Sequence, residues 1–253
     1  MSLNRELLRS GGRSDAPSGS GDTRRRTLLR AALGGTAAVG AATALGTGTA
    51  SAGSRPAPVD VSTPDAALRE LVRGNKRWHD FRQRHPHESG VTRQELVAGQ
   101  HPFAVVLSCV DSRVPPELVF DQGLGDLLTV RSAGEVLDEA VLGSVAYGVL
   151  ELGIPLVLVL GHQSCGAVKA AVEADESGAH LPAHIQYLAD QIRPAIDHGQ
   201  TGNARIDATI SAQTRLVRSR LAAEPDLAPL IASGKLGVVG ARYELSDQLV
   251  RLL

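Results

Sequence analysis

Two stretches of the chain are apolar without interruption. Residues 103–108 (Phe-Ala-Val-Val-Leu-Ser) and residues 154–160 are each of strand length. Unbroken rather than alternating apolarity predicts strands covered on both faces. Shorter apolar segments at 127–130 and 236–239 predict two more strands, and 240–245 reads as a final one. Helical stretches lie between them at 135–152, 165–174, 182–198 and 206–223. Upstream, Thr63-Pro64-Asp65 places a capping side chain, a proline and an acid where a helix begins, predicting a helix to about Trp78. Thr92-Arg93-Gln94-Glu95 has capping-box spacing and predicts a second, short helix. Strands alternating with helices of this length imply an α/β fold, a single domain with a mostly parallel central β-sheet flanked by helices. That domain is expected over residues 62–253, and no internal repeat interrupts it.

The N-terminus follows a different pattern. Residues 1–23 are rich in Gly, Ser and Arg without periodicity and read as a disordered lead-in. Arg24-Arg25-Arg26-Thr27-Leu28-Leu29-Arg30 follows, then a mildly apolar Ala/Gly/Leu/Thr run, then Ala50-Ser51-Ala52. A basic region, a weakly apolar region and an Ala-x-Ala site together predict a secretory signal, and the Arg25-Arg26 pair resembles the twin-arginine type. Residues 1–52 are thus expected to direct export to the cell envelope or outside, with cleavage after Ala52 and a linker over 53–61. The alternative is a transmembrane anchor, for which a run this rich in Gly, Ala and Thr is poorly hydrophobic.

Charge narrows the function classes. Of 26 basic and 27 acidic residues, seven and three lie in residues 1–52, leaving 19 and 24 in the mature part, a net of −5. A mildly acidic domain with 3% aromatic residues offers no electrostatic footprint for nucleic acid.

The chemistry gathers at two predicted strand ends. Cys109-Val110-Asp111-Ser112-Arg113 follows the first buried strand, and Gly161-His162-Gln163-Ser164-Cys165-Gly166 follows the second. In an open parallel sheet, functional groups collect beyond the carboxyl ends of strands, where strand order reverses. Adjacent strands would bring Cys109, His162 and Cys165 together. Thiolate and imidazole are preferred zinc donors, and three protein ligands leave a fourth tetrahedral position for water, the pattern of a catalytic site. The rival reading is a Cys109–Cys165 disulfide, plausible for an exported protein with two cysteines. The other histidines (His79, His85, His87, His101, His180, His184 and His198) have no ligand-like partners at useful spacing.

With these residues in place, the chain resembles the beta class of carbonic anhydrases. The resemblance rests on Cys109-x-Asp111-x-Arg113 and, about fifty residues later, His162-x-x-Cys165-Gly166. It extends to Leu71-x-x-Gly74-Asn75-x-x-Trp78, Gly125-Asp126-Leu127, Val130-Arg131-Ser132-Ala133-Gly134 and Ala146-Tyr147, and covers roughly residues 60–245. It implies a beta-carbonic-anhydrase-like fold and one Zn2+ per chain on Cys109, His162 and Cys165. It also implies hydration of CO2 to bicarbonate by zinc-bound hydroxide, and a homodimer or tetramer with the site near the subunit interface. Asp111 and Arg113 match the family's catalytic pair: Asp111 would orient the hydroxide, while Arg113 holds the carboxylate off the metal. Gln122 and Tyr147 match substrate-side positions, and Gly166 would let a helix start beside the metal with its N–H available to an anion. Glu135 stands where the family commonly has asparagine and would add a negative charge near the interface. Ser246-Asp247 replaces an expected threonine-glycine turn. A related hydrolase acting on CS2 or COS would share the same metal site.

Overall fold

The computed structural model describes residues 60–253. The signal segment expected over 1–52, and most of the linker expected over 53–61, lie outside the described residues.

The first helix, α1 (Pro64–His79), forms as its sequence directs. Thr63 Oγ1 accepts from the Ala66 N–H at 3.3 Å, with Pro64 in the first turn. Its buried face carries Ala67, Leu71, Gly74 and Asn75. At Gly74 an added Cβ would lie 1.7 Å from the Phe120 carbonyl oxygen, so only glycine admits this approach of helix and loop. Asn75 then ties three segments together. Its Nδ2 donates to the carbonyls of Val119 and Gln248 at 3.1 Å each, and its Oδ1 accepts from the Val250 N–H at 2.8 Å. The next helix, α2 (Gly90–Glu95), is capped by Ser89, whose Oγ accepts from Thr92 N, so it begins before the expected Thr92 cap.

Five strands follow: β1 (Ala104–Ser108), β2 (Leu127–Arg131), β3 (Leu156–His162), β4 (Gly237–Tyr243) and β5 (Val250–Leu252), in the spatial order β2-β1-β3-β4-β5. All pairings are parallel except β4 with β5. Every residue of β1 and β3 is buried, as their continuous apolarity requires. On one face Val105, Leu107, Val157 and Val159 pack against Val141 and Val145 of α4 (Glu139–Ala146) and Val217 and Leu221 of α7 (Gly202–Ala223). On the other, Val106, Leu158 and Leu160 pack against Ala67 and Leu71 of α1 with Phe120 and Tyr243. Each fully buried Val or Leu contributes about 1.5–3 kcal/mol, so these two layers hold the sheet.

Three expectations shift. The two late strands expected at 236–239 and 240–245 are the single strand β4, and β5 was not anticipated. The helix expected from 135 starts at Glu139 with Asp138 as its cap, because Gly134 and Glu135 both take positive φ (66° and 54°) and break the helical path. Its last turn, Tyr147–Glu151, winds as a π-helix. The stretch expected over 182–198 is α6 (Ala183–Ile192) followed by a 3-10 turn through Pro194, which has no N–H to continue the ladder.

Candidate metal centre

Strand β1 is followed in sequence by β2 on one side of it and, later, by β3 on the other. The order of the sheet therefore reverses between β1 and β3, the place where α/β sheets build sites. Ser108 of β1 pairs with Leu160 of β3. Cys109 is one residue past that pair, His162 ends β3, and Cys165 immediately precedes α5 (Gly166–Ser177). Between His162 and Cys165 the chain reverses through Ser164, whose φ of 57° is unusual for a side-chain-bearing residue.

The result is a compact cluster. One donor atom from each of Cys109, His162 and Cys165 lies within 4.8 Å of the others, and all three residues are buried. His162 Nδ1 lies 2.9 Å from the Gln163 carbonyl oxygen, which can only accept, so the proton sits on Nδ1. That leaves Nε2 as a bare lone pair, buried and without any hydrogen-bond partner. An unpartnered buried acceptor is unfavourable unless something electrophilic meets it. The sulfurs stand 3.9 Å apart and both cysteines are free, so the disulfide alternative is not formed. The Cys109 thiol is lowered to about 4, first by the hydrogen bond from Cys165 and further by the Gly134 N–H. Cys165, which keeps its proton against that thiolate, is pushed up. Two sulfurs and one imidazole with a free coordinating lone pair fit a zinc ion.

Asp111 sits beside this cluster, with Oδ2 3.9 Å from His162 Nε2. Arg113 holds it with a fork: Nε to Oδ1 at 2.9 Å and Nη2 to Oδ2 at 2.7 Å, while the Arg113 N–H also donates to Oδ1 at 2.9 Å. Chiefly through that fork, the Asp111 carboxyl falls to about 2. Arg113 Nη2 also reaches the Ser164 carbonyl at 3.3 Å, joining the two strand-end loops.

The expected metal and acid–base residues thus come together, whereas Gln122 and Tyr147 do not join them. The buried Gln122 donates from Nε2 to the Phe120 carbonyl at 3.0 Å, within its own loop. Tyr147 is half-exposed in a groove with Leu128, Thr129, Arg131 and Glu139. Helix α5 does begin at Gly166, and an added Cβ there would meet nothing within 4 Å, so packing within the chain does not demand glycine.

Other residues also shape the centre. Arg131 donates from Nε to the Cys109 carbonyl at 2.9 Å and from Nη2 to the Asp111 carbonyl at 2.7 Å, clamping the 109–111 loop. Glu135 is not a surface charge: it is 2% exposed, and burial, with Cys109 adding to it, raises its carboxyl well above the usual range. Gln213 of α7 donates to the Gly134 carbonyl at 3.1 Å. A lone Arg, Glu or Gln carries no spacing signal, although Arg131 and Gly134 lie in the stretch that carried the resemblance.

Comparison with known proteins gives a consistent result. The family model described as Carbonic anhydrase matches residues 104–250. Carbonic anhydrase 2 of Mycobacterium tuberculosis is 41% identical over 188 residues, covering 74% of this chain and 91% of that protein. The carbonic anhydrase of Mycolicibacterium smegmatis is 39% identical over 193 residues, covering 76% and 94%. Among solved structures, the Coccomyxa beta-carbonic anhydrase in complex with acetazolamide superposes with a TM-score of 0.60 at 24% identity, covering 74% of this chain and 86% of that one. One of two tetrameric beta-carbonic anhydrases from Sordaria macrospora gives 0.60 at 18%, covering 74% and 96%.

Proposed function

The chain belongs to the carbonic anhydrase family, with the fold of its beta class, and from that premise we propose that it interconverts CO2 and bicarbonate at one zinc ion per chain held by Cys109, His162 and Cys165. The observation that carries this reading is the bare, buried Nε2 of His162 facing two sulfurs. Zinc in such a place supplies a Lewis acid that brings the pKa of water towards 7, so that hydroxide is available to CO2 at neutral pH.

The chain's own residues do the rest. The Nδ1–H of His162, given to the Gln163 carbonyl, fixes the tautomer and the ring plane so that Nε2 stays a donor. Asp111 remains ionised at any pH above about 4, so its Oδ2 can only accept. Asp111 Oδ2 would therefore accept a hydrogen bond from a water beside it and orient that water towards CO2. Arg113 occupies both carboxylate oxygens and keeps Asp111 from closing on the metal itself. Arg131 fixes the loop carrying both Cys109 and Asp111, so the carboxylate and the metal ligand keep one spacing.

We further infer a homodimer or tetramer. Strand β2 is a sheet edge with partly exposed Leu127, Leu128 and Val130. Beside it, Tyr147 leaves about half of its surface open. Gln122 and Tyr147, away from their own cluster, would reach substrate only at a second copy's site. Export by a twin-arginine signal, with cleavage after Ala52, is proposed from the sequence alone. Among the described residues no helix is long and apolar enough to cross a membrane.

The test is elemental analysis with CO2 hydration on purified wild type and His162→Gln. One zinc per chain and rapid hydration in the first, with loss of both in the second, is expected. Full hydration by His162→Gln would end the reading.

A further inference from the structure

Gln213 lies in α7 and is 1% exposed. Its Nε2 donates to the Gly134 carbonyl, and its Oε1 has no partner. A buried amide oxygen without a partner is unfavourable, and an apolar side chain of the same length would avoid that penalty. Stability alone therefore does not account for a glutamine here.

What the hydrogen bond does is set by Gly134. This residue takes φ 66°, so its N–H and carbonyl point in directions that neither helix nor strand would give. Its N–H donates to Cys109 Sγ at 3.4 Å. On its open side an added Cβ would meet Ile192 Cδ1 at 2.8 Å, so α6 presses on the same residue. Gln213 holds the carbonyl, which belongs to the next peptide, and so restrains the backbone rotation at Gly134 that relates this peptide to the one carrying the N–H. A hydrogen bond into a metal-bound thiolate withdraws charge from the sulfur, and a less donating sulfur leaves the metal a stronger Lewis acid.

We propose that Gln213 is a positioning residue for the metal thiolate: by gripping the Gly134 carbonyl from α7 it aims the Gly134 N–H at Cys109 Sγ and limits how strongly that sulfur donates to the metal. The assignment rests on Cys109 being a metal ligand. It makes α7, which supplies no ligand, part of the metal's electronic environment.

The test replaces zinc by Co2+ in the full chain and reads the thiolate-to-cobalt charge-transfer band, together with Co2+ retention against a competing chelator. Gln213→Met and Gln213→Leu remove the donor while keeping bulk. Both should keep the band, move it to longer wavelength and hold Co2+ no less tightly than wild type, because a thiolate relieved of a hydrogen bond donates more strongly. Thr209→Val is the control. It removes another hydrogen bond of the same helix, in which Thr209 Oγ1 accepts from the Asp197 N–H at 3.3 Å, and should lower the unfolding temperature without moving the band. Gln213 variants with the wild-type band, or with weaker retention, would overturn the positioning role while leaving the metal site standing. A band shifted equally by Thr209→Val would overturn it as well, reducing it to helix packing. A wild-type protein with no thiolate band at all would remove the metal reading, and the role of Gln213 with it.

Discussion

Arg113→Ala separates what holds the protein together from what makes the site work. Arg113 makes two side-chain hydrogen bonds to Asp111 and one to the Ser164 carbonyl, yet its side chain is 53% exposed. Taken at face value, moving a carboxyl from about 3.9 to about 2 corresponds to at most roughly 2.5 kcal/mol. Water screens a half-exposed guanidinium, so about 1 kcal/mol is the better expectation for stability. The effect on catalysis is larger because it is positional. Freed of its fork, the Asp111 carboxylate, 3.9 Å from His162 Nε2, can turn onto the metal and occupy the position meant for water. Misplacing a group of this kind lowers rates on the order of 100-fold. Stopped-flow CO2 hydration, thermal unfolding and zinc content on one sample separate the effects: activity down about 100-fold, unfolding shifted by a few degrees, zinc retained. Full activity, or a loss of activity matched by a loss of zinc, would refute this account of Arg113.

The packing of α1 gives consequences independent of that pair. Gly74→Ala drives a Cβ to 1.7 Å from the Phe120 carbonyl oxygen, and roughly 3 kcal/mol of destabilisation is expected in a denaturant titration; an unchanged midpoint would contradict the packing of α1. Asn75→Ala strands two carbonyls and the Val250 N–H, and a loss of about 2 kcal/mol should accompany faster amide exchange at Val250. The stability difference between wild type and Arg113→Ala should be constant above pH 5 and shrink as pH falls from about 4 towards about 2. Asp111 has its carboxyl lowered in the folded state, so protonation removes the pair there; a difference that grew with acid would contradict the sign. Arg25→Lys with Arg26→Lys should leave the protein in the cytoplasm if export uses the twin-arginine route, as cell fractionation would show.

The parts of this molecule legible in the sequence were those whose signal is local and redundant. Strands β1 and β3 were readable because all their residues are buried, leaving unbroken apolar runs. The cluster of Cys109, His162 and Cys165 was legible because both cysteines and a histidine stand at two strand ends that a parallel sheet brings together. The misplaced boundaries have equally specific causes. Thr92 and Glu95 have capping-box spacing, but Ser89 captures the Thr92 N–H first. The segments expected as strands at 236–239 and 240–245 are continuous, because Gly240 pairs in register with Val159 inside β4. Strand β5 has only three residues and takes its place from β4 and Asn75, contacts more than a hundred residues of sequence away in the latter case. Glu135 read as an interface charge because a carboxylate is ordinarily exposed; the positive φ that turns it inward beside Cys109 leaves no trace in composition.

CO2 hydration is expected to depend on a metal held by Cys109, His162 and Cys165. That dependence is measured by stopped-flow CO2 hydration on residues 53–253, stripped of metal under reducing conditions and titrated with zinc. Activity should be absent at first, rise in proportion to added zinc and level off at one equivalent per chain. Full hydration by the stripped protein, or none after one zinc per chain has bound, would contradict the account.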